Sequence, residues 1–280
     1  MLKVSIVTIS FNQARFLRRT IESVRGQDYP NIEHIIVDPG STDGSRKIIN
    51  QYQDHFSQVI LEPDGGPADG LHKGFESATG QILAQLNADD CYLPGAISRI
   101  VREFQNDPQL GIVYGNGIIA NAQGTPIKRF FSDKFSLKGF TLGRVVICQQ
   151  ATFYTREAYQ KVGGFNINNH TSWDAELMVD FAKKNIPMKK INTALGVFTY
   201  HAASITGSQL LKDESFQNHE RIFEKITGRP RTKLDRYLLK LGIIGRIIRS
   251  PQILYYRLLE KIISPSFGIQ PEILDWIRQE

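Results

Sequence analysis

Short apolar runs alternate with segments of helical periodicity over the first 110 residues. Runs rich in β-branched side chains predict buried strands at residues 4–9, 32–37, 59–61 and 82–86. Apolar residues at helical spacing follow each run and predict helices over residues 14–25, around residues 48–52, around residues 71–78 and over residues 93–106. Four alternations of strand and helix with short links predict a parallel sheet covered by helices on both faces.

Polar and acidic residues follow the predicted strands. Right-handed crossovers place the carboxyl ends of parallel strands at one edge of the sheet, which is where such sheets bind ligands. Asp38, residues 62–64 and residues 87–90 bring carboxylates to that edge after three of the four strands. Because neighbouring carboxylates repel one another, we expect a bound cation at this edge.

The pattern changes after residue 111. Residues 112–119 predict a further strand, residues 125–155 predict irregular strand and loop, and residues 156–162 and 173–185 predict two helices. Beyond residue 207 the pattern predicts helices, with breaks at residues 228–230 and 250–251. The sequence therefore predicts an α/β domain over residues 1–207 and a helical, basic extension over residues 208–280.

The composition is that of a globular protein, with 41% apolar and 22% charged residues. Cys91 and Cys148 lack the spacing of a zinc site or a disulfide framework, so we expect two buried thiols in a reducing compartment. The N-terminus lacks the features of a signal peptide, and no apolar run of about 18 residues predicts a transmembrane helix. These features predict a cytoplasmic protein.

Positive charge is concentrated near the C-terminus. Residues 229–263 contain nine Lys and Arg and two acids, nine minus two or +7, whereas the whole chain carries +6. The rest of the chain therefore sums to −1, which argues against nucleic acid as a partner of the α/β domain. The mixed basic and apolar residues of the extension suit an interfacial helix at the inner face of the cytoplasmic membrane. The alternative is a helical hairpin that packs on the domain and exposes a solvated basic face.

Asp89 and Asp90 are adjacent carboxylates directly after a predicted buried strand. Divalent cations prefer carboxylate oxygens, and Mg²⁺ is usually held by one or two carboxylates together with phosphate oxygens. The pair therefore suits a cation that bridges the protein to a diphosphate. The alternative is that the pair caps a helix that begins near Tyr92.

Five motifs occur along the chain in this order: SIVTISFN, IIVDPGSTDGS, EPDGGPADGLHKG, ATGQILAQLNADD and YLPGA. Together they closely resemble the family 2 inverting glycosyltransferases, and in particular the bacterial enzymes of surface-polysaccharide assembly. The likeness spans roughly residues 3–205. It implies the glycosyltransferase A fold, in which a Rossmann-like sheet binds the nucleotide. It also implies a nucleotide-sugar half over residues 1–110, an acceptor half over residues 111–207, a UDP-linked donor, and a glycan or lipid-linked saccharide acceptor.

The resemblance assigns donor contacts to residues that follow the first three strands. Phe11 lies where an aromatic ring stacks on the nucleotide base, with backbone contacts from Ile9 and Ser10. Asp38 matches the residue that hydrogen-bonds the base, and Asp64 matches a residue that lines the nucleotide pocket. The alternatives are a core role for Phe11 and a turn-capping role for each aspartate.

Residues 87–90 occupy the position of the family's DxD signature, which implies Mn²⁺ or Mg²⁺. Asn87 departs from the first Asp of that signature, although its amide can still hydrogen-bond ribose hydroxyls. The resemblance assigns the metal to Asp89 and Asp90. It adds His201, because a His at this point reaches the metal or the diphosphate in several relatives. A structural role is the alternative for His201.

Asp174 is the candidate general base. Residues 148–153 and 163–165 resemble the stretch that leads to the acceptor site, and Asp174 follows them at the start of a predicted helix, with Glu176 in the later acidic place. The resemblance implies that Asp174 takes the proton of the acceptor hydroxyl while the metal neutralises charge on the departing diphosphate. The anomeric configuration then inverts. Helix capping is the alternative role for Asp174.

Two rival classes share parts of this pattern. A nucleotidyltransferase has a similar core, but it usually carries a Gly-rich, basic loop after the first strand, and residues 10–14 contain no glycine. A non-catalytic sugar-nucleotide-binding protein would tolerate Asn87, although it would not need Asp89, Asp90 and Asp174. A dehydrogenase is disfavoured because no GxGxxG follows the first strand.

Overall fold

A computed structural model of the chain describes residues 1–204 and 211–249. Its strands are β1 (Val4–Ile9), β2 (Ile32–Val37), β3 (Gln58–Ile60), β4 (Ile82–Asn87), β5 (Cys91–Tyr92), β6 (Ile112–Asn121), β7 (Pro126–Phe130), β8 (Thr152–Thr155) and β9 (Met188–Tyr200). Its helices are α1 (Ala14–Arg25), α2 (Ser45–Gln51), α3 (Pro67–Ser77), α4 (Ala96–Asn106), α5 (Leu137–Thr141), α6 (Arg156–Val162), α7 (Trp173–Lys183), α8 (Lys212–Thr227) and α9 (Lys233–Arg249).

The described strands form one mixed sheet in the order β3-β2-β1-β4-β8-β6-β9-β5, and β7 pairs with the second half of β6. The neighbours β3, β2, β1 and β4 are parallel, with Ile9 of β1 in register with Val37 and Asn87. Their carboxyl ends therefore meet at one edge. The predicted parallel arrangement of these four strands is confirmed. Beyond β4 the sheet is mixed, because β8 runs antiparallel to both β4 and β6 whereas β6 and β9 are parallel.

Helices cover both faces of this sheet. Successive side chains of a strand point to opposite faces, so Ile6 packs with α1 and α4 whereas Val7 packs with α3, α6 and α7. Both residues are fully buried. The result is a three-layer α/β/α core that holds the carboxyl edge of β1, β2 and β4 in a fixed position.

Several predicted boundaries shift in the structure. The helix expected from residue 93 begins at Ala96, because the chain first forms β5 and then turns at Gly95, whose φ is 76°. Asp89 and Asp90 therefore do not cap this helix, and that alternative is wrong. Residues 125–155 contain β7, α5 and β8. Cys91 and Cys148 are buried, free thiols, and burial raises their pKa values to about 11 and about 12.

The C-terminal extension is helical where it is described. The predicted break at residues 228–230 is present, because α8 ends at Thr227 and Gly228 adopts a left-handed conformation. The predicted domain boundary at residue 207 and the second predicted break at residues 250–251 lie outside the described residues. None of the described helices has the unbroken apolar length that a bilayer span requires.

Candidate active site

Ser10 and Asp38 are buried at the carboxyl edge, directly after β1 and β2. Asp38 Oδ1 accepts hydrogen bonds from the backbone N–H groups of Gly40 and Ser41 at 3.1 and 2.8 Å and from Arg46 Nε at 3.2 Å. Asp38 Oδ2 and Ser10 Oγ, in contrast, are buried without a hydrogen-bond partner. Because buried polar atoms are rarely left unpaired, these two oxygens are available to hydrogen-bond a polar ligand at this edge.

The same edge includes Phe11, Asp64 and Ile9. The Phe11 side chain is 58% exposed, so it is not a core residue and presents its ring to solvent. Burial raises the pKa of Asp64, whose Oδ1 accepts a hydrogen bond from Gly66 N at 2.9 Å. Asp64 and Ile9 both lie against Gly70 of α3. A Cβ atom at Gly70 would be 2.7 Å from Asp64 Oδ2 and 3.4 Å from Ile9, so the absence of a side chain there permits this close approach.

Asp89 forms a buried pair with His201, which follows β9. The distance between His201 Nε2 and Asp89 Oδ2 is 2.9 Å, and the His201 ring packs on Phe16 with 4.5 Å between ring centroids. The exposed fractions of Asp89 and His201 are 7% and 8%. The fold therefore brings a carboxylate and an imidazole, separated by more than 100 residues in sequence, to the same end of the sheet.

Asp90 is fully buried, and both of its carboxylate oxygens accept hydrogen bonds. Thr199 N donates to Oδ1 at 2.9 Å, and Gln150 Nε2 donates to Oδ2 at 2.6 Å, with Asn87 Nδ2 at 3.3 Å from Oδ2. Burial, and then the charge of Asp89, raise the pKa of Asp90 well above its usual range. The adjacent carboxylates therefore repel each other in a site with little solvent, which is the setting that a cation would relieve.

These residues fit a cation whose coordination is completed by a ligand. Among the described residues, no cluster of three or more His, Cys, Asp or Glu side chains forms a metal cage. Mg²⁺ and related ions need only one or two carboxylates when phosphate oxygens supply other ligands. Asp89 and His201 provide two ligand atoms, and Asn87 Oδ1, at the end of β4, is buried without a hydrogen-bond partner.

A cavity of about 280 Å³ lies beside this edge, and Asp174 lines it. Asp174 lies in the first turn of α7, whose N-cap is Ser172, so Asp174 does not cap the helix. Burial raises the pKa of Asp174. The walls of the cavity are mostly apolar, and its polar lining includes Gln85, Gln149 and His219. The apolar lining residues include Phe135, Phe140, Val145, Val146, Ile147, Leu177 and Met178.

Gln149 connects the cavity to the part of the carboxyl edge that carries Asp89 and Asp90, which we call the acidic edge. Its side chain lines the cavity, and its Oε1 accepts hydrogen bonds from Gln150 Nε2 at 2.9 Å and from Asn87 Nδ2 at 3.5 Å. Gln85 of β4 also lines the cavity, two residues before Asn87 at the end of the same strand. Gln149 therefore lines the cavity of Asp174 and also contacts Asn87 and Gln150, both of which hydrogen-bond Asp90.

Residues 5–163, more than half of the chain, match the family model described as glycosyl transferase family 2. The chain belongs to glycosyl transferase family 2. A glycosyltransferase of Mycobacterium tuberculosis is 31% identical to this one over 183 residues, which cover 63% of this chain and 67% of the relative. A Nostoc glycosyltransferase is 38% identical over 121 residues, 42% of this chain but only 38% of the relative. A Bacillus subtilis glycosyltransferase named for teichuronic acid biosynthesis is 32% identical, over 48% of this chain and 54% of the relative.

Solved structures confirm the fold of this family 2 glycosyltransferase. TarS of S. aureus, solved with UDP-GlcNAc, matches 99% of this chain and 78% of its own with a TM-score of 0.65 and 15% identity. A mannosyltransferase of Pyrobaculum calidifontis, solved with GDP-Man and Mn²⁺, matches 96% of this chain and 77% of its own with a TM-score of 0.62 and 17% identity. The predicted glycosyltransferase A fold with a helical C-terminal part is therefore confirmed.

The predicted site residues of this glycosyltransferase fall into two groups. The first group lies along the carboxyl edge and around the end of β9, and it comprises Ile9, Ser10, Phe11, Asp38, Asp64, Asn87, Asp89, Asp90 and His201. The second is Asp174, which lies across the cavity on α7. Glu176 faces away from the cavity toward α8, where Arg221 Nη1 donates to its Oε1 at 2.6 Å. Its contacts are structural.

The sequence did not single out Gln149, Gln150 or His219. The two glutamines belong to the stretch 148–153, whose resemblance to an acceptor-site segment was the only sequence signal for them. His219 comes from α8 in the C-terminal extension and reaches the same cavity as Asp174. No motif marks His219, because only packing of the extension on the domain brings it there.

Proposed function

We propose that this enzyme transfers a sugar from a UDP-linked donor to a saccharide acceptor, with inversion, in the synthesis of a cell-surface polysaccharide. Support for the donor class comes from TarS, which has been solved with UDP and with UDP-GlcNAc. Support for the product class comes from the relative named for teichuronic acid biosynthesis and from a Staphylococcus epidermidis poly-β-1,6-N-acetyl-D-glucosamine synthase that is 31% identical over 42% of this chain.

One observation carries the proposal. A carboxyl group of raised pKa, Asp174, lines a cavity that Gln149 joins to the acidic edge. Glycosyl transfer needs a base beside the acceptor hydroxyl and stabilisation of negative charge on the leaving group. The cavity and the edge provide these two environments side by side.

The donor would lie along the carboxyl edge. The exposed Phe11 ring would stack on the base, with backbone contacts from Ile9 and Ser10. The unpaired Oδ2 of Asp38 would accept a hydrogen bond from the base, and Asp64 would line the same pocket. The unpaired Oδ1 of Asn87 is suited to a ribose hydroxyl or to the cation.

Asp89 and His201 would hold Mn²⁺ or Mg²⁺, with diphosphate oxygens completing the coordination. Asp90, predicted as a second ligand, has protein donors on both oxygens, which favours a role in fixing the position of Asp89 and the end of β9. When bound, the ion supplies positive charge next to the departing diphosphate.

Asp174 would act on the acceptor. Its carboxylate accepts the proton of the acceptor hydroxyl as the acceptor oxygen bonds to the anomeric carbon. The bond between that carbon and the diphosphate oxygen breaks on the opposite face, so the configuration inverts. A single displacement of this kind needs no covalent enzyme intermediate.

Asp174→Asn tests this assignment. The amide cannot accept the proton, so we expect kcat to fall by about 10²- to 10⁴-fold, while the Kd for UDP, measured by calorimetry with Mn²⁺, stays unchanged. Asp180→Asn is the matched control, because Asp180 lies on the same helix but pairs with Lys225 outside the cavity. Turnover by Asp174→Asn within a few-fold of that by the control would contradict the assignment.

A further inference from the structure

Helix α9 packs on the domain through one face only. Gly242 approaches the backbone of Leu142 so closely that a Cβ there would collide with the Leu142 carbonyl oxygen. Leu239 lies against Gly143, and Arg246 forms an ion pair with Asp133. At 100° per residue, positions 239, 242 and 246 lie on the same side of the helix.

The opposite face carries an exposed apolar stripe. Its members, which we call the α9 stripe, are Leu234, Tyr237, Leu238, Leu241 and Ile244. Their spacing of three, four, seven and ten residues from the first places them on one face. Their exposed fractions run from 37% to 65%, so nothing in the described part of the chain covers them.

Positive charge borders the α9 stripe. Lys233 and Lys240 lie along one of its sides at helical spacing, with Arg236 between them. Arg236 pairs with Glu220 of α8 at 3.3 Å, so the two lysines supply the charge of this border. Within residues 233–249 the one acid is Asp235, and Arg229 already pairs with it at 2.6 Å. An apolar stripe with a basic border is complementary to an anionic lipid surface, where the side chains enter the interface and the cations meet headgroups. A symmetric contact with a second copy would instead bring two basic borders together.

The helix that carries the α9 stripe also supports a wall of the acceptor cavity. The residues it packs against, Asp133, Leu142 and Gly143, belong to the segment 131–147, which contains α5 and the cavity-lining residues Phe135, Phe140 and Val145. A lipid surface at α9 would therefore lie close to the cavity. This is the arrangement that a lipid-linked acceptor needs, since its saccharide extends only a short distance from the bilayer.

We propose that the α9 stripe docks this protein on an anionic lipid bilayer and that its saccharide acceptor is attached to a lipid in that bilayer. The choice of acceptor rests on the proposed glycosyltransferase activity, whereas the docking does not. Docking is reversible, because insertion of five partly exposed side chains is far weaker than a membrane span.

Vesicle sedimentation of the full chain tests the docking. Vesicles of phosphatidylglycerol and phosphatidylcholine in equal parts are compared with vesicles of phosphatidylcholine alone. We expect binding to the anionic vesicles, weaker binding to the neutral ones, and loss of binding as salt screens the charges. Leu241→Gln/Ile244→Gln should weaken partitioning by about tenfold or more, because apolar side-chain burial supplies much of the affinity.

Ile127→Gln/Ile167→Gln is the matched control. Both isoleucines are exposed to a similar extent, 40% and 43%, but lie off α9. The control should bind vesicles like the unaltered chain. Equal binding by the α9 variant and the control would overturn the proposal. The proposal would also be overturned if the unaltered chain did not bind anionic vesicles. Two such results are a dimer, seen by light scattering, that the α9 variant abolishes without any vesicle binding, and vesicle binding that occurs only after residues 250–280 are removed.

A second readout separates this inference from the proposed function. Hydrolysis of UDP-sugar in vesicle-free buffer depends on the donor site and not on the α9 stripe, so the α9 variant should retain it. If the unaltered chain hydrolyses UDP-sugar but does not bind anionic vesicles, the docking alone is contradicted. Vesicle binding without donor hydrolysis or transfer contradicts the proposed function alone. Transfer to a free saccharide as fast as to the same saccharide on a lipid in anionic vesicles would overturn the lipid-linked acceptor.

Discussion

Asp90 is held by donors from three separate elements. Thr199 belongs to β9, Asn87 to β4, and Gln150 to the turn before β8. Burying a carboxylate next to Asp89 is unfavourable unless such donors compensate. Residues that hold Asp90 in place would therefore affect the cation proposed to bind at Asp89 and His201, since groups behind metal ligands set the position and basicity of those ligands.

We expect Gln150→Ala to weaken metal binding. The substitution removes the 2.6 Å hydrogen bond to Asp90 and leaves a buried carboxylate oxygen with only a long contact from Asn87. The Mn²⁺ concentration for half-maximal turnover should rise by about 10- to 100-fold. Gln160→Ala, which alters an exposed glutamine on α6, serves as the control. If both variants require the same Mn²⁺ concentration, Gln150 has no part in metal binding.

At the scale of elements, a buried charge cluster attaches the extension to the domain. Glu176 of α7 accepts hydrogen bonds from Arg221 and Lys225 of α8 and from Asn169 at 2.8 Å. Burial opposes ionisation of Glu176, but the hydrogen bonds from Arg221, Asn169 and Lys225 dominate together and lower its pKa to about 2. This attachment matters for the site, because α8 also carries His219 to the cavity.

The Glu176→Gln variant tests this attachment through the pH dependence of the free energy of unfolding. The folded-state pKa of about 2 lies below the ordinary value of 4.5, so ionised Glu176 stabilises the fold above about pH 4.5. That contribution is lost as pH falls from about 4.5 towards 2. In urea unfolding at pH 7 the variant should lose about 1–2 kcal/mol, because Arg221 and Lys225 lose their charged partner but are themselves partly exposed, so water screens their charges.

The difference from the unaltered chain should shrink as the pH is lowered through this window. Glu157→Gln, an exposed substitution on α6, should change little at any pH. A loss in Glu176→Gln that is the same at pH 7 and pH 3 would show that the charge of Glu176 does not hold α8 in place.

At the scale of the whole molecule, α9 links the wall of the Asp174 cavity to the outer surface. Its contacts with residues 131–147, the segment around α5, are close, and Gly242 permits the closest of them. Gly245, three residues later on the same helix, has no atom within 4 Å of the position of a Cβ. The two glycines therefore form a natural pair for testing whether this packing supports the cavity.

Gly242→Ala and Gly245→Ala should have opposite effects. Alanine raises helix propensity, so Gly245→Ala should stabilise the fold by about 0.5–1 kcal/mol. Gly242→Ala should lower the melting temperature and raise the KM for acceptor several-fold, because the new Cβ displaces α9 from the cavity loop. The KM for the donor should not change in either variant. Equal melting temperatures for the two variants would argue against the close packing.

Local patterns were sufficient for the elements around the donor edge. β1, β2 and β4 are short, mostly apolar and almost entirely buried runs with helices after them, and the order of such units fixes which strand ends share an edge. The sequence was insufficient for β5 and β8. These strands are two and four residues long, so their hydrophobic periodicity cannot be distinguished from that of a loop. They form because β5 pairs with β9 and β8 pairs with β4 and β6, all distant in sequence.

The sequence by itself determined the α/β core and the acidic residues at its carboxyl edge, because strand and helix periodicity and chain order are local properties. Family resemblance added Asp174 and His201, but neither spacing nor composition gives a distance between them and the edge. Only the tertiary structure paired His201 with Asp89 and surrounded Asp90 with donors. It also brought Gln149 and His219 to the cavity of Asp174. Each of these contacts joins residues distant along the chain, and their positions depend on how whole elements pack, which no local pattern encodes.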